Sequence, residues 1–335
     1  VIEMARRSLG ASLASVALAL ALGTTGALAQ DAQEPVGVTI GLDAFGGAVV
    51  VYVAQQQGFF DEQGIDATID TYSVGLDTLN AALAGTADFG WAFDYGSLGA
   101  MAPDQLRYIA TLTRTQPGFH QLALTAAVPT PQDLAGKRMG VVAGTQQHYI
   151  TLKYLEQLGI PADQVELLEF GAPLEIVAGM RTGQIDGAWV FGQGIAEAQA
   201  IEGVTIAADD GEVLDNGLGL LIATRAIVED RPDVVERVLA ALVAAEAWID
   251  ANDPDLTQSA AYIAEQINAP ADGVLANIAN ADQTVSFTQA DVDQLKAFAD
   301  FRTSLSPDTP LDVDAYLALD PLRAVAPDAV TVEAG

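Results

Sequence analysis

The sequence predicts an α/β protein of two lobes, each a doubly wound sheet with helices on both faces, the two joined by two hinge crossovers. Three observations carry this. Eleven residues occur twice: Leu83-Ala-Gly85-Thr-Ala-Asp88-Phe-Gly90-Trp91-Ala-Phe93 aligns without a gap on Arg181-Thr-Gly183-Gln-Ile-Asp186-Gly-Ala188-Trp189-Val-Phe191, with Gly, Asp, Trp and Phe in register. The surroundings of the two copies also agree: an apolar run, a glycine-containing loop, a helical stretch, a Gly-Ile pair, an extended segment and a small-residue helix precede each. Each half therefore reads β-α-β-α-β, and strands that alternate with helical patterns predict parallel sheets covered on both faces.

In chain order, residues 1–29 are expected to be a secretory signal peptide cleaved near Ala29. Arg6 and Arg7 precede an apolar stretch over 9–22, and Ala27-Leu28-Ala29 offers a small-x-small cleavage site. Residues 36–120 form the first part of lobe 1, with strands at 38–42, 67–72, 87–93 and 106–111 and a helix ending at Gly58. The extended segment 121–125 is read as the outgoing hinge. Lobe 2 spans 121–219: a capped turn at 130–137, a strand at 139–142, a helix ending at Leu158-Gly159, an extended segment at 165–170 and the second copy of the repeat. The apolar run 218–223 is the candidate return hinge, and residues 220–335 return to lobe 1. Helices are expected near 234–249, 256–267, 271–278 and 290–304, and the tail beyond 307 as surface covering.

Composition excludes several functions. The formal charge is −31, from 14 Lys and Arg against 45 Asp and Glu, so nucleic acid is not a partner. Such acidity reads as a solvated surface and says nothing of a substrate. There is no cysteine. An exported chain without it has neither disulfides nor a thiol for a lipid anchor, which predicts a free monomer retained in a periplasm. His120 and His148 have no His or Cys at ligand spacing, so no metal is expected. Neither a nucleophile elbow, nor a phosphate-binding loop, nor a dinucleotide fingerprint is present, and neither a catalytic residue nor a cofactor is assigned.

Ligands of open α/β sheets bind outside the carboxyl ends of the strands. Phe45, Gly46 and Gly47 fall there in lobe 1, with Trp91, Asp94 and Tyr95. Thr145, Gln146, Gln147 and His148 fall there in lobe 2, with Trp189, Phe191 and Gln193. The glycine loops precede helices, whose free N–H groups and dipole attract anions; the alternative is that the glycines only permit tight turns. Trp91, Tyr95 and Trp189 are candidate aromatic walls, whereas Phe93 and Phe191 are divided between wall and core. Asp94 is either the partner of a ligand amine or a local cap. Arg114, between lobe and hinge, is either a cleft cation or a surface residue, and is read as the latter.

Ala54-Gln-Gln-Gln-Gly58-Phe59-Phe60 followed by Gly64-Ile65, then Gly85-x-x-Asp88, Asp133-Leu-x-Gly136-Lys137, Gly144-Thr145 and Gly183-x-x-Asp186 form an ordered set. The set resembles the solute-binding proteins of ABC importers, in the family for aliphatic sulfonates, taurine, nitrate and thiamine-precursor pyrimidines. That resemblance implies a periplasmic-binding-protein fold of type II kind, a small polar ligand trapped between lobes, and delivery to an inner-membrane permease. A taurine-like ligand matches an aromatic, acidic side facing an anion-binding helix end. A heteroaromatic amine, a small inorganic anion, a sensor ectodomain and an enzyme on the same fold remain alternatives. Gly192-Gln193-Gly194 departs from the acidic residue and proline that many members carry after the second-lobe strand.

Overall fold

In the computed structural model, residues 34–333 are described except 102 and 307–309. The expected signal peptide lies outside the described residues. Twelve strands are described: β1 (Val36–Asp43), β2 (Ile65–Tyr72), β3 (Phe89–Phe93), β4 (Leu106–Thr115), β5 (His120–Leu124), β6 (Arg138–Val141), β7 (Glu166–Glu169), β8 (Gly187–Phe191), β9 (Thr205–Asp209), β10 (Leu218–Thr224), β11 (Ala281–Thr288) and β12 (Val330–Thr331). They form a seven-stranded sheet in the order β12-β11-β4-β10-β3-β1-β2 and a five-stranded sheet in the order β7-β6-β8-β5-β9.

The duplication seen in the sequence extends to topology. β4-β10-β3-β1-β2 in the first sheet corresponds strand for strand to β9-β5-β8-β6-β7 in the second. The repeated Gly-x-x-Asp does the same work twice. Gly85 and Gly183 adopt left-handed φ of 75° and 71°, which end a helix without the penalty a Cβ would bring. Immediately before the repeat's strand, Asp88 and Asp186 then clamp the neighbouring parallel strand. Asp88 Oδ2 accepts Thr39 N–H at 2.9 Å, and Asp186 Oδ2 accepts Arg138 N–H at 3.0 Å. Their carbonyls receive the antiparallel neighbour, from Thr224 N and Thr125 N, both at 2.9 Å.

That antiparallel neighbour corrects the hinge assignment. The segments read as hinges, β5 and β10, are interior strands; Trp189 pairs with Leu122 and Trp91 with Leu221. The chain crosses between sheets in the short loops 116–119 and 210–217 instead. Asp210 ties the two crossings together, accepting Gly118 N–H at 2.7 Å and His120 N–H at 2.9 Å.

Both sheets are covered by helices whose apolar stripes follow helical spacing. The longest, Pro232–Asn252, buries Val234, Val235, Val238, Leu239, Leu242, Ala245 and Ile249, and starts at a proline whose missing N–H costs nothing there. Helices Thr257–Ile267, Ala271–Ile278 and Gln289–Leu305 lie close to the expected ones. Two features of the C-terminal part differ from expectation. β11 extends the first sheet beside β4, and the tail is more than surface covering, since Val313, Tyr316, Leu319 and Leu322 enter the core.

Candidate functional site

Between the two sheets, at the carboxyl ends of β1, β3, β6 and β8, the chain forms a cavity of about 90 Å³. A water needs roughly 10–15 Å³ on this measure, so the space suits a small organic molecule of several heavy atoms. Strand ends, helix starts and the crossing 116–119 converge on it, which is where open α/β sheets place ligands.

Of the expected residues, Phe45, Gly47, Trp91, Thr145, Gln146, Gln147, Trp189 and Phe191 line the cavity. The tryptophans are each 1% exposed, and their indole nitrogens have no hydrogen-bond partner. Buried donors are nearly always paired, so an orphan on a cavity wall marks a place for a ligand or water. Gly47 and Gly219 make room for Trp91: a Cβ would meet its ring at 2.6 Å and 2.4 Å. Phe93, divided between wall and core, also lines the cavity.

Five expected residues lie elsewhere. Gly46 is off the wall, at φ 76°, against Ile263. Asp94 is a buried hub: it accepts N–H groups from Tyr95 at 2.7 Å, Gln146 at 3.1 Å, Leu218 at 2.9 Å and Gln294 at 2.7 Å. It thereby joins β3, β10, the helix Gln289–Leu305 and the lobe-2 helix Gln146–Gln157, leaving no room for a ligand amine. Burial pushes its pKa up to about 7 although four donors favour the charged form. Tyr95 packs among Tyr149, Phe298 and Phe301, with Arg302 over its ring. His148 Nδ1 accepts Gly144 N–H at 3.1 Å, a local cap, and burial lowers its pKa. Gln193 borders a smaller pocket, where its backbone N–H donates to Asn277 Oδ1 at 3.2 Å.

The anion-site reading of the lobe-1 glycine loop is corrected as well. Asp43 Oδ1 accepts Phe45 N–H at 3.1 Å, and the amides of Gly47 and Gly46 also act on that carboxylate, so the chain supplies its own anion. In lobe 2 the side chains are similarly engaged. Thr145 Oγ1 donates to Val142 O at 2.7 Å; Gln147 accepts Val142 N–H and donates to Gly140 O and Trp189 O, which fixes the end of β8. Arg114 is neither a free surface residue nor a cleft cation: it pairs with Asp291, Nη2 to Oδ2 at 2.8 Å.

Sequence reasoning missed Asp43, Phe119, His120, Asn277 and Gln283 on the wall. His120 is held by Asp210, Nδ1 to Oδ2 at 3.0 Å, so Nε2 is the ring nitrogen left without a partner among the described residues. Asn277 reaches the site from a helix 232 positions after Phe45, whose carbonyl it contacts at 3.4 Å. Only Phe119-His120 carried a local signal, an aromatic pair directly after the Pro117-Gly118 break. Among the described residues no cluster of three or more His, Asp or Glu is placed to hold a metal, and no helix is long and apolar enough to cross a membrane.

Two α/β sheets closing on one cavity define the class: a two-lobed protein of the periplasmic-binding-protein fold. The chain belongs to the NMT1/THI5-like family, whose model matches residues 48–255. The taurine-binding periplasmic protein of Escherichia coli (strain K12) is 26% identical over 231 residues, covering 64% of this chain and 66% of that protein. The alkanesulfonate-binding protein SsuA from Xanthomonas axonopodis pv. citri, solved bound to MOPS, superposes with a TM-score of 0.71 at 20% identity, over 86% of this chain and 99% of that one. The desulfurization enzyme DSZB shares the fold, with a TM-score of 0.62 at 16% identity over 87% of this chain and 98% of its own. Fold alone therefore does not separate binding from catalysis.

Proposed function

We propose that this chain is the periplasmic solute-binding protein of an ABC importer, a monomer whose lobes close on a small polar organic molecule of taurine-like class and present it to an inner-membrane permease. The observation that carries the reading is the cavity at the strand ends, lined by both sheets and by Trp91 and Trp189, whose indoles are unpaired. Family membership and the taurine-binding relative support it. In this reading residues 36–120 and 220–335 make up lobe 1 and 121–219 lobe 2, with closure at the crossings 116–119 and 210–217. Trp91, Trp189, Phe45, Phe191, Gln146 and Gln147 are the proposed contacts from the expected set.

A ligand-stripped protein screened by thermal shift against taurine, alkanesulfonates, nitrate, bicarbonate, aminopyrimidines and amino acids tests this. A ligand that binds only the native state raises the midpoint by an amount set by its concentration over Kd. A saturable shift that Trp189→Ala abolishes is expected. If a folded protein shows no shift with any compound, the solute-binding reading fails; chemical change of the bound compound would move the assignment to an enzyme.

A further inference from the structure

The chemistry of the cavity narrows its occupant, given the reading of the chain as a solute-binding protein. Among the described lining residues Asp43 carries the one carboxylate, and neither lysine nor arginine faces it. Asp43 is 6% exposed. Burial raises its pKa to about 6, opposed only by the backbone amides of Phe45, Gly47 and Gly46, with no cation contributing. A buried carboxylate without a counter-charge is unfavourable, and a cationic occupant would relieve it.

The walls point the same way. Ring contacts run from Trp91 to Phe93 at 5.1 Å, Phe93 to Phe119 at 5.8 Å, Phe119 to Phe191 at 5.6 Å and Phe191 to Phe45 at 5.3 Å. All five residues line the cavity. Aromatic faces are electron-rich, so a cage of them attracts an ammonium group and repels an anion. The unpaired N–H groups of Trp91 and Trp189 are neutral donors that ask for an acceptor on the same occupant.

We infer that the cavity selects a molecule bearing a protonated or quaternary nitrogen, held by Asp43 and the aromatic cage, together with a hydrogen-bond acceptor for the two indoles. A zwitterionic amine such as taurine meets both demands. Nitrate, bicarbonate and a plain alkanesulfonate meet one and bring negative charge towards Asp43.

Three pairs of probes differ mainly in the cation: taurine with isethionate, choline with 3,3-dimethylbutanol, and benzylamine with benzyl alcohol. Calorimetric titration of the full chain is expected to show that the tightest binder carries the charged nitrogen and exceeds its partner by at least about tenfold. Asp43→Asn keeps an acceptor for Phe45 N–H while removing the charge, and should erase that preference. If the variant does not fold, the pairs measured on the unaltered chain decide alone. The inference is overturned by an uncharged or anionic member binding as tightly as its cation, by a preference that survives Asp43→Asn, or by no cation binding at millimolar concentration. Tight isethionate or ethanesulfonate binding would sink the inference and leave the solute-binding reading standing; silence across these probes and the wider thermal-shift panel would sink both.

Discussion

Trp91 and Trp189 occupy equal places in the two copies of the repeat, and each meets the cavity with its indole N–H unpaired. Replacing either by Phe keeps most of the ring and removes the donor. Affinity for the tightest ligand should fall by about 1 kcal/mol, roughly fivefold, while the unliganded protein loses little stability because a buried orphan donor is gone too. Calorimetry against urea unfolding separates the two effects, and unchanged affinity in both variants would remove the indoles from recognition. Asp43 and Asp94 set a pH response. Burial raises both pKa values from 3.8, to about 6 and about 7, so the folded state holds more protons than the unfolded one between pH 4 and 7. Stability therefore falls as pH rises across that window, by several kcal/mol in order of magnitude. Asp186 acts in the opposite sense: its hydrogen bonds with Arg138 lower its pKa, and the stability it contributes is lost only as pH falls below about 4. A midpoint that is higher at pH 5 than at pH 8 is expected from thermal melts, with Asp43→Asn flattening part of the slope.

The repeated helix-turn-strand unit owes its geometry to Gly85 and Gly183 and its attachment to Asp88 and Asp186. Asp88→Ala should cost about 1–2 kcal/mol, the loss of one hydrogen bond and an exposed-to-desolvation Thr39 N–H. Asp186→Ala loses bonds to the backbone and side chain of Arg138, and should release protection from hydrogen exchange in β6 and β8 before the first sheet responds. Uniform loss of protection in both sheets would show that the two lobes unfold as one unit. In β10, Gly219 admits the ring of Trp91; Gly219→Ala places a Cβ at 2.4 Å from it and should cost about 1–3 kcal/mol while weakening ligand binding through the displaced indole.

A formal charge of −31 acts on the molecule as a whole. Like charges on one compact surface repel, and salt shortens their reach from about 30 Å at 0.01 M to about 3 Å at 1 M. The thermal midpoint should rise across that range of sodium chloride, and a flat response would show that the carboxylates lie too far apart to interact. Contacts between the lobes include Asp94 with Gln146, the ring of Tyr149 with those of Tyr95, Phe298 and Phe301, the ring of Phe45 with that of Phe191, and Asn277 with the backbone of Gln193. Asn277→Ala removes one such contact without touching either sheet, and is expected to weaken ligand affinity more than it lowers the unfolding midpoint.

The duplicated architecture was legible because a gapless repeat carries register: once Gly85 aligns with Gly183, Asp88, Trp91 and Phe93 follow, and the strand pairs inherit the match. The cavity-facing tryptophans were legible for the same reason, since position at a strand end is a local property. Asp43 and Asp94 were not distinguishable by local pattern. Both stand at the carboxyl end of a strand, and only the packing of β10 and the helix Gln289–Leu305 around Asp94 makes it the hub, leaving Asp43 on the cavity wall. Asn277 and Gln283 gave no signal because the cavity residues they join are far away along the chain. The sequence alone thus determined the periodicities, the repeat and the helix ends, which depend on residues a few positions apart; the tertiary structure decided the strands' neighbours and the site's charge, which depend on what long-range packing removes from water.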